Sequence, residues 1–432
     1  MIKKISQYNF YFNEGFWVAI GQTLSFIFNI IGIKIMTDKM FPAEYGKLSL
    51  FLTYVTLITQ IFYAPICAGG TRFYVIAKEQ GELQKFYKSI LYFFIVFSFI
   101  SASILIIFSI YLFCVQNNNY IYLLLLSFIF SILSGININI ISILDAARKR
   151  KIVAIFQSSD TFLRYIISIF LISYISPNAQ VVFFGYSFAS LFILIMLFLT
   201  TKKKLHLSKI DLDKIWNKKI WNYIRPFMIW GIFTWIQLSS DKWALAFFKS
   251  TKEVGVYTAL YQIGFVPISI LVGFGVQLLT PILFEKVGDG NNKKSIISVD
   301  KMINKISIAI IIFMLFIFII AYFFHRLIFS LIFRNPEFLI VSEFLPWLIL
   351  SGGLFSISQA FTIKMLGKMR TSELAKIKIS TSLIGILFNF SFAYFWGVFG
   401  VVIANLLFSL LFLASILLYN RKQLQNPVFL SN

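Results

Sequence analysis

Read for hydrophobic periodicity, the chain resolves into long apolar runs separated by short polar punctuation. The runs fall near 15–36, 48–67, 89–114, 120–144, 153–176, 180–200, 226–247, 255–281, 305–325, 339–361, 377–396 and 398–420. Each is close to the roughly 20 apolar residues that a helix needs to cross a hydrocarbon core. The pattern predicts an all-α polytopic membrane protein with about twelve transmembrane helices. The N-terminal MIKKISQYN, followed by its first apolar run without a small-residue cleavage site, reads as a start-transfer helix rather than a removed signal.

Composition agrees. Hydrophobic residues make up 59% of the 432, charged residues only 13%, and mean hydropathy is +0.84. An ordinary soluble domain is about 25% charged, so this chain has too little charge to cover a water-facing surface. The net charge of +22 would suggest nucleic acid in a soluble protein, but here its placement gives another meaning. With the N-terminus inside, the inner segments hold 30 of the 39 Lys and Arg and the outer loops hold six. Such a bias over short loops places both termini in the cytoplasm. It puts Asn117–Asn119, Pro177 and Lys252 outside, and Arg150, His206 and Lys293 inside. The runs ArgLysArgLys (148–151) and LysLysLys (202–204) are read first as topology signals. Cys67 and Cys114 fall near opposite faces, so no disulfide is expected between them.

The longest inner loop, about 201–225, divides the spans six and six. The expected organisation is an N-terminal six-helix bundle (1–204), a cytoplasmic linker (205–225) and a C-terminal six-helix bundle (226–432). An even number of spans per half inserts both halves in the same orientation, a parallel pseudo-repeat. The triplets Glu44-Tyr45-Gly46 and Glu253-Val254-Gly255, each opening the second helix of its half, support that reading.

Polar groups inside spans are expensive unless they face protein or water, which makes them the candidate site. Gly21, Ser25, Asn29 and Gly32 share one face of span 1, and Thr234, Gln237 and Asp241 one face of span 7. Ser131, Gly135, Ser142 and Asp145 lie in span 4. Small and polar stripes of this kind also mediate helix packing. Asp160 and Arg164 are four apart, with Arg164 about 16 Å up its span. Asp241 and Lys242 sit in the outer half of span 7. Two readings stand for these pairs: structural ion pairs, or a water-filled, partly cationic cavity that accepts an anionic group. Lys34 lies near the outer end of span 1 and reaches the interface.

No nucleotide-binding loop or HExxH motif occurs, and the two histidines, His206 and His325, lack metal-ligand company. The outer loops are too short to house a polymerase or ligase site. No enzyme activity, cofactor or metal is expected.

FPAEYGKLSLFLTYVTLITQIF (41–62), GGTRFY (69–74) and SSDKWALAFFKSTKEVGVYTALYQIGFVPISIL (239–271) resemble segments of the bacterial polysaccharide-biosynthesis flippases. LPWLILSGGLF (345–355), LGKMRTS (366–372) and FWGVFGVVIAN (395–405) fit the same family, with Lys242 where Arg is commoner. That family belongs to the multidrug/oligosaccharidyl-lipid/polysaccharide exporter superfamily. The resemblance implies two six-helix bundles around a central cavity, working by alternating access. It implies translocation of undecaprenyl-diphosphate-linked oligosaccharide units, of O-antigen or another surface polysaccharide such as that of lipopolysaccharide, across the bacterial inner membrane. Polysaccharide polymerase and chain-length proteins would be partners beside membrane lipid, coupling to H+ or Na+ stays open, and nucleic acid is not expected. Arg164, Lys242, Asp160, Asp241, Asn29, Gln237 and Arg72 are the candidate substrate-cavity residues. Tyr54, Tyr257 and Tyr261 have two readings, stacking on sugar rings or packing in the core. The rivals are a cation-coupled drug exporter of the same superfamily, which would favour a cavity dominated by acids, and a membrane polysaccharide polymerase or ligase.

Overall fold

The computed structural model describes residues 2–114, 119–201, 213–287, 293–367 and 371–425, with side chains described outside 2–13, 108, 111–119, 201, 273–300, 363–364, 366–372 and 421–425. The LysLysLys run, His206, residues 205–212 of the expected linker, Asn117 and the side chain of Cys114 therefore lie outside the described residues. Cys67 is a free thiol.

The described residues are helical, with no strand among them. In chain order the helices are α1 (Ile2–Lys39), α2 (Pro42–Ile58), α3 (Ala64–Glu79), α4 (Leu83–Cys114), α5 (Asn119–Ala146), α6 (Arg150–Tyr174) and α7 (Ala179–Thr201). There follow α8 (Lys214–Phe248), α9 (Thr251–Val287), α10 (Lys293–Ile332), the short α11 (Pro336–Leu339), α12 (Leu345–Gly367) and α13 (Thr371–Gln425). Among the described residues, ten segments are long and apolar enough to cross a bilayer. One of them, Glu373–Asn420, is 48 residues long and holds the last two expected spans. They are separated at Gly397, whose φ of 58° and ψ of −132° break α13 into two arms. The expected span 226–247 lies within α8, which is not among those ten. Twelve membrane-length passes result among the described residues.

The second pass is longer than the apolar run 48–67 suggested. α2 and α3 join through one π-helical turn, Thr59–Tyr63, into a single helical segment, Pro42–Glu79. Large apolar side chains remain exposed along the passes, Phe99 and Ile312 among them at 70% and 65%. In water that exposure would be a liability; against lipid it is the required surface.

The chain divides into two compact units, Met1–Trp235 and Ile236–Asn432. In the first unit α1 packs on α6, α6 on α7, and α5 against α2, α3, α4 and α7. Residues 213–225 of the expected linker are not a loop but the start of α8. Asp213 accepts the backbone N–H groups of Ile215 and Trp216 at 2.9 and 3.2 Å, an N-cap. Trp216, Ile220 and Ile224, one turn apart, are buried with Phe86, Phe93 and Ile66. Farther along, a Cβ on Gly231 would fall 2.1 Å from the Gln60 carbonyl oxygen, so α8 rests directly on the π-helical turn.

In the second unit α12 contacts α9, α10 and α13. Both units repeat one detail of the paired triplets. Glu44 accepts the Ala179 backbone N–H at 3.0 Å, sealing the turn between α6 and α7. Glu253 Oε2 lies where it would be 2.8 Å from a Cβ on Gly397, at the turn between the arms of α13.

Candidate functional site

The first unit holds Asp160 and Arg164 on one face of α6. Arg164 lies about 21 Å along a helix about 37 Å long, near the middle of the pass. Its Nη2 donates to Asp160 Oδ2, and its Nε to the Asp160 backbone carbonyl at 3.4 Å. The guanidinium carbon sits 5.8 Å from the Phe130 ring centroid, within cation–π range. The other carboxylate oxygen, Oδ1, is buried without a hydrogen-bond partner. Arg164 keeps 31% of its side chain accessible, against 16% for Asp160. The pair is therefore formed but not sealed, with part of the Arg164 side chain still accessible near the middle of the pass.

Asn29 belongs to the same neighbourhood. Tyr165, next to Arg164, donates its hydroxyl to Asn29 Oδ1. Gly32 makes this approach possible, because a Cβ there would lie 2.1 Å from the Tyr165 ring. Tyr165 packs edge-on to Tyr186, which in turn packs on Phe130. The polar stripe of α1 thus orients the residue beside Arg164.

The second unit holds a tighter cluster. Asp241 lies about 10 Å before the end of α8 at Phe248. Tyr257 donates its hydroxyl to Asp241 Oδ2 at 2.6 Å, and Asn405 Nδ2 donates to the Tyr257 oxygen at 2.8 Å. The Lys242 backbone N–H and its ammonium reach Asp241 Oδ1 at 2.7 and 3.5 Å. That ammonium also lies 4.6 Å from the Tyr261 ring centroid and 5.9 Å from that of Tyr257. A bond from Asn389 to Ser240 at 2.8 Å ties in α13. Lys242 is 8% exposed and Asp241 2%, so this pair is far more enclosed than Arg164 with Asp160.

The remaining candidates separate. Gln237 is half-buried, and its Nε2 is a buried donor without a partner. Arg72 is exposed on α3 and joins neither cluster. Tyr257 is fully buried and committed to Asp241 and Asn405, which corrects the sugar-stacking reading for that ring. Tyr261 is stacked on Phe265 at 4.7 Å and covered by Lys242. Tyr54 has a buried, unpartnered hydroxyl. Asn405, Asn389, Tyr165 and Phe130 were not singled out in the sequence; a polar residue within the last apolar run was the available signal for Asn405. No group of three or more metal-binding side chains occurs among the described residues.

The family model described as polysaccharide biosynthesis protein matches residues 12–287. No curated protein matches the chain. Among solved structures, the lipid II flippase MurJ in an inward closed conformation is similar with a TM-score of 0.73. That likeness is at 14% identity and covers 94% of this chain and 87% of MurJ. An outward-facing multidrug resistance MATE family transporter of the MOP superfamily gives 0.62 at 13% identity, covering 98% and 96%. The Vibrio cholerae MATE transporter VcmN in its bent form gives 0.60 at 13% identity, covering 98% of each chain. The chain belongs to the polysaccharide biosynthesis protein family, built on the fold of the MurJ flippase and the MATE transporters.

Proposed function

We propose that this protein is a flippase moving undecaprenyl-diphosphate-linked oligosaccharide units, of O-antigen or another surface polysaccharide, from the inner to the outer leaflet of the bacterial inner membrane. The observation that carries the reading is Arg164: a guanidinium near mid-membrane, paired with Asp160 yet still accessible. Holding a charge at that depth costs about 2.5–3.5 kcal/mol on insertion scales, and a planar fork of N–H groups suits a diphosphate. Family membership points to the glycan. The likeness to MATE transporters that have been solved in outward- and inward-facing conformations supports alternating access.

In this reading Asp160 holds Arg164 while the site is empty and yields it when the diphosphate arrives. Lys242 is the second cation, positioned by Asp241 and screened by the Tyr257 and Tyr261 rings. No chemistry is performed on the substrate. Both termini face the cytoplasm, and polymerase and chain-length proteins take the product outside. The MATE likeness also favours a cation-coupled drug exporter. Against that, each acid in the two clusters already has a basic partner.

Replacing Arg164 with Ala is expected to abolish surface polysaccharide while membrane abundance stays normal. Arg164→Lys is expected to restore part of the transport if charge alone matters. A parallel fall in abundance and transport, reversed in the double variant with Asp160→Ala, would make the pair structural and sink the reading.

A further inference from the structure

The first unit has a cavity of about 330 Å³ that the transport reading does not use. Glu44, Lys47, Tyr120, Leu123, Asn178 and Gln180 line it. They come from the starts of α2, α5 and α7, all at one end of the unit. Helices alternate in direction, so the turns at 80–82 and 147–149 lie at the other end, the one that the placement of Lys and Arg marks as cytoplasmic.

The lining is fixed by its own bonds. Glu44 accepts from Lys47 Nζ at 2.6 Å and from the Ala179 backbone N–H at 3.0 Å. Asn178 Oδ1 accepts the Val181 N–H at 3.0 Å, which leaves the Asn178 amide N–H groups as donors. Tyr120 is held parallel to the Phe51 ring at 6.1 Å. The charges of Glu44 and Lys47 cancel, so the cavity attracts neither an anion nor a cation outright. What remains is a fixed mixture of donors and acceptors beside an aromatic ring and a leucine. That combination matches a neutral polyol with one apolar face. The volume is at the low end of the roughly 300–1,000 Å³ of ligand pockets, which suits a single ring.

We propose that this cavity is a second saccharide site, taking one neutral pyranose ring at the outer end of the first unit. The proposal rests on the flippase reading and deepens it. The end of α6 is about 15 Å beyond Arg164. A glycan held by its diphosphate at Arg164 is thereby within reach of the cavity through its first few rings.

The test uses the purified full-length chain in detergent and saturation-transfer NMR with free galactose, N-acetylglucosamine, glucuronate and glycerophosphoethanolamine. At least one neutral sugar is expected to show transfer, reduced at least fivefold in Tyr120→Ala and in Lys47→Met. Tyr120→Phe, which keeps the ring, should retain it and guards against a folding artefact. Arg164→Ala should leave it unchanged, so failure of the transport reading and failure of this site are read separately. Absence of transfer to both neutral sugars, persistence in both cavity variants, loss in Arg164→Ala, or transfer confined to glucuronate or to the lipid headgroup fragment would each overturn the proposal.

Discussion

Replacing Tyr257 with Phe removes one oxygen from the enclosed polar cluster around Asp241. Ring volume hardly changes, so no cavity follows. The hydroxyl donates to Asp241 Oδ2 at 2.6 Å, and Asp241 is 2% exposed, so water cannot substitute. Asn405 Nδ2 loses its bond to the hydroxyl but keeps the Val401 carbonyl at 3.1 Å. The loss is therefore close to one hydrogen bond to a charged acceptor, about 1.5–3 kcal/mol. For a unit of this size each kcal/mol shifts the melting temperature by about 2–4 °C, so a fall of about 3–12 °C is expected. Tyr261→Phe is the control. Its ring stays under the Lys242 ammonium, its hydroxyl makes no hydrogen bond among the described residues, and a change within about 0.5 kcal/mol is expected. Intrinsic fluorescence during thermal unfolding in detergent reads both. Equal melting of the two variants, or no effect of Tyr257→Phe, would refute the assignment of Asp241 as a carboxylate held by that hydroxyl.

Two further outcomes follow from the first unit. Gly32→Ala places a methyl 2.1 Å from the Tyr165 ring; overpacking should cost about 1–3 kcal/mol, seen as a lower melting temperature together with weaker transport. At the start of α8, hydrogen bonds from Lys85 and then Trp216 hold the Glu82 carboxyl below its ordinary range, and backbone N–H bonds, Trp216 first, do the same for Asp213. Both groups bind protons more weakly folded than unfolded, so their stabilisation is present above the ordinary carboxylate range and fades as pH falls through the depressed values. Trp216 fluorescence should report release of that contact in acid, and Glu82→Gln should flatten the pH dependence; an unchanged profile would discount the contact.

Local features were legible in the sequence and tertiary ones were not. Hydropathy located the passes because lipid demands continuous apolar runs. The spacing of Asp160 and Arg164 gave their pairing because a helix sets neighbours four apart on one face. The cluster around Asp241 was half visible. Lys242 adjoins it in sequence, but Tyr257 and Asn405 come from α9 and α13, and no local rule predicts which hydroxyl meets which carboxylate. Residues 213–225 read as a linker because Lys214, Lys218, Lys219 and Arg225 interrupt their apolar positions. The four-residue spacing of Trp216, Ile220 and Ile224, now seen buried against α3 and α4, was the overlooked helical signal. The cavity at Glu44 and Asn178 is assembled from the starts of three helices far apart in the chain, and so left no periodic trace.

The proposed function requires Arg164, and separately Lys242, for a lipid diphosphate to cross the membrane. Its most direct test is translocation of a fluorescent undecaprenyl-diphosphate-linked oligosaccharide in proteoliposomes, read as the fraction cleaved by an external glycosidase over time. The wild-type chain is expected to speed exposure of the glycan, and Arg164→Ala and Lys242→Ala proteins of equal abundance to leave it at the rate of empty liposomes. Wild-type and variant chains moving the lipid equally well, or a wild-type chain that moves a cationic drug but not this lipid, would contradict the account.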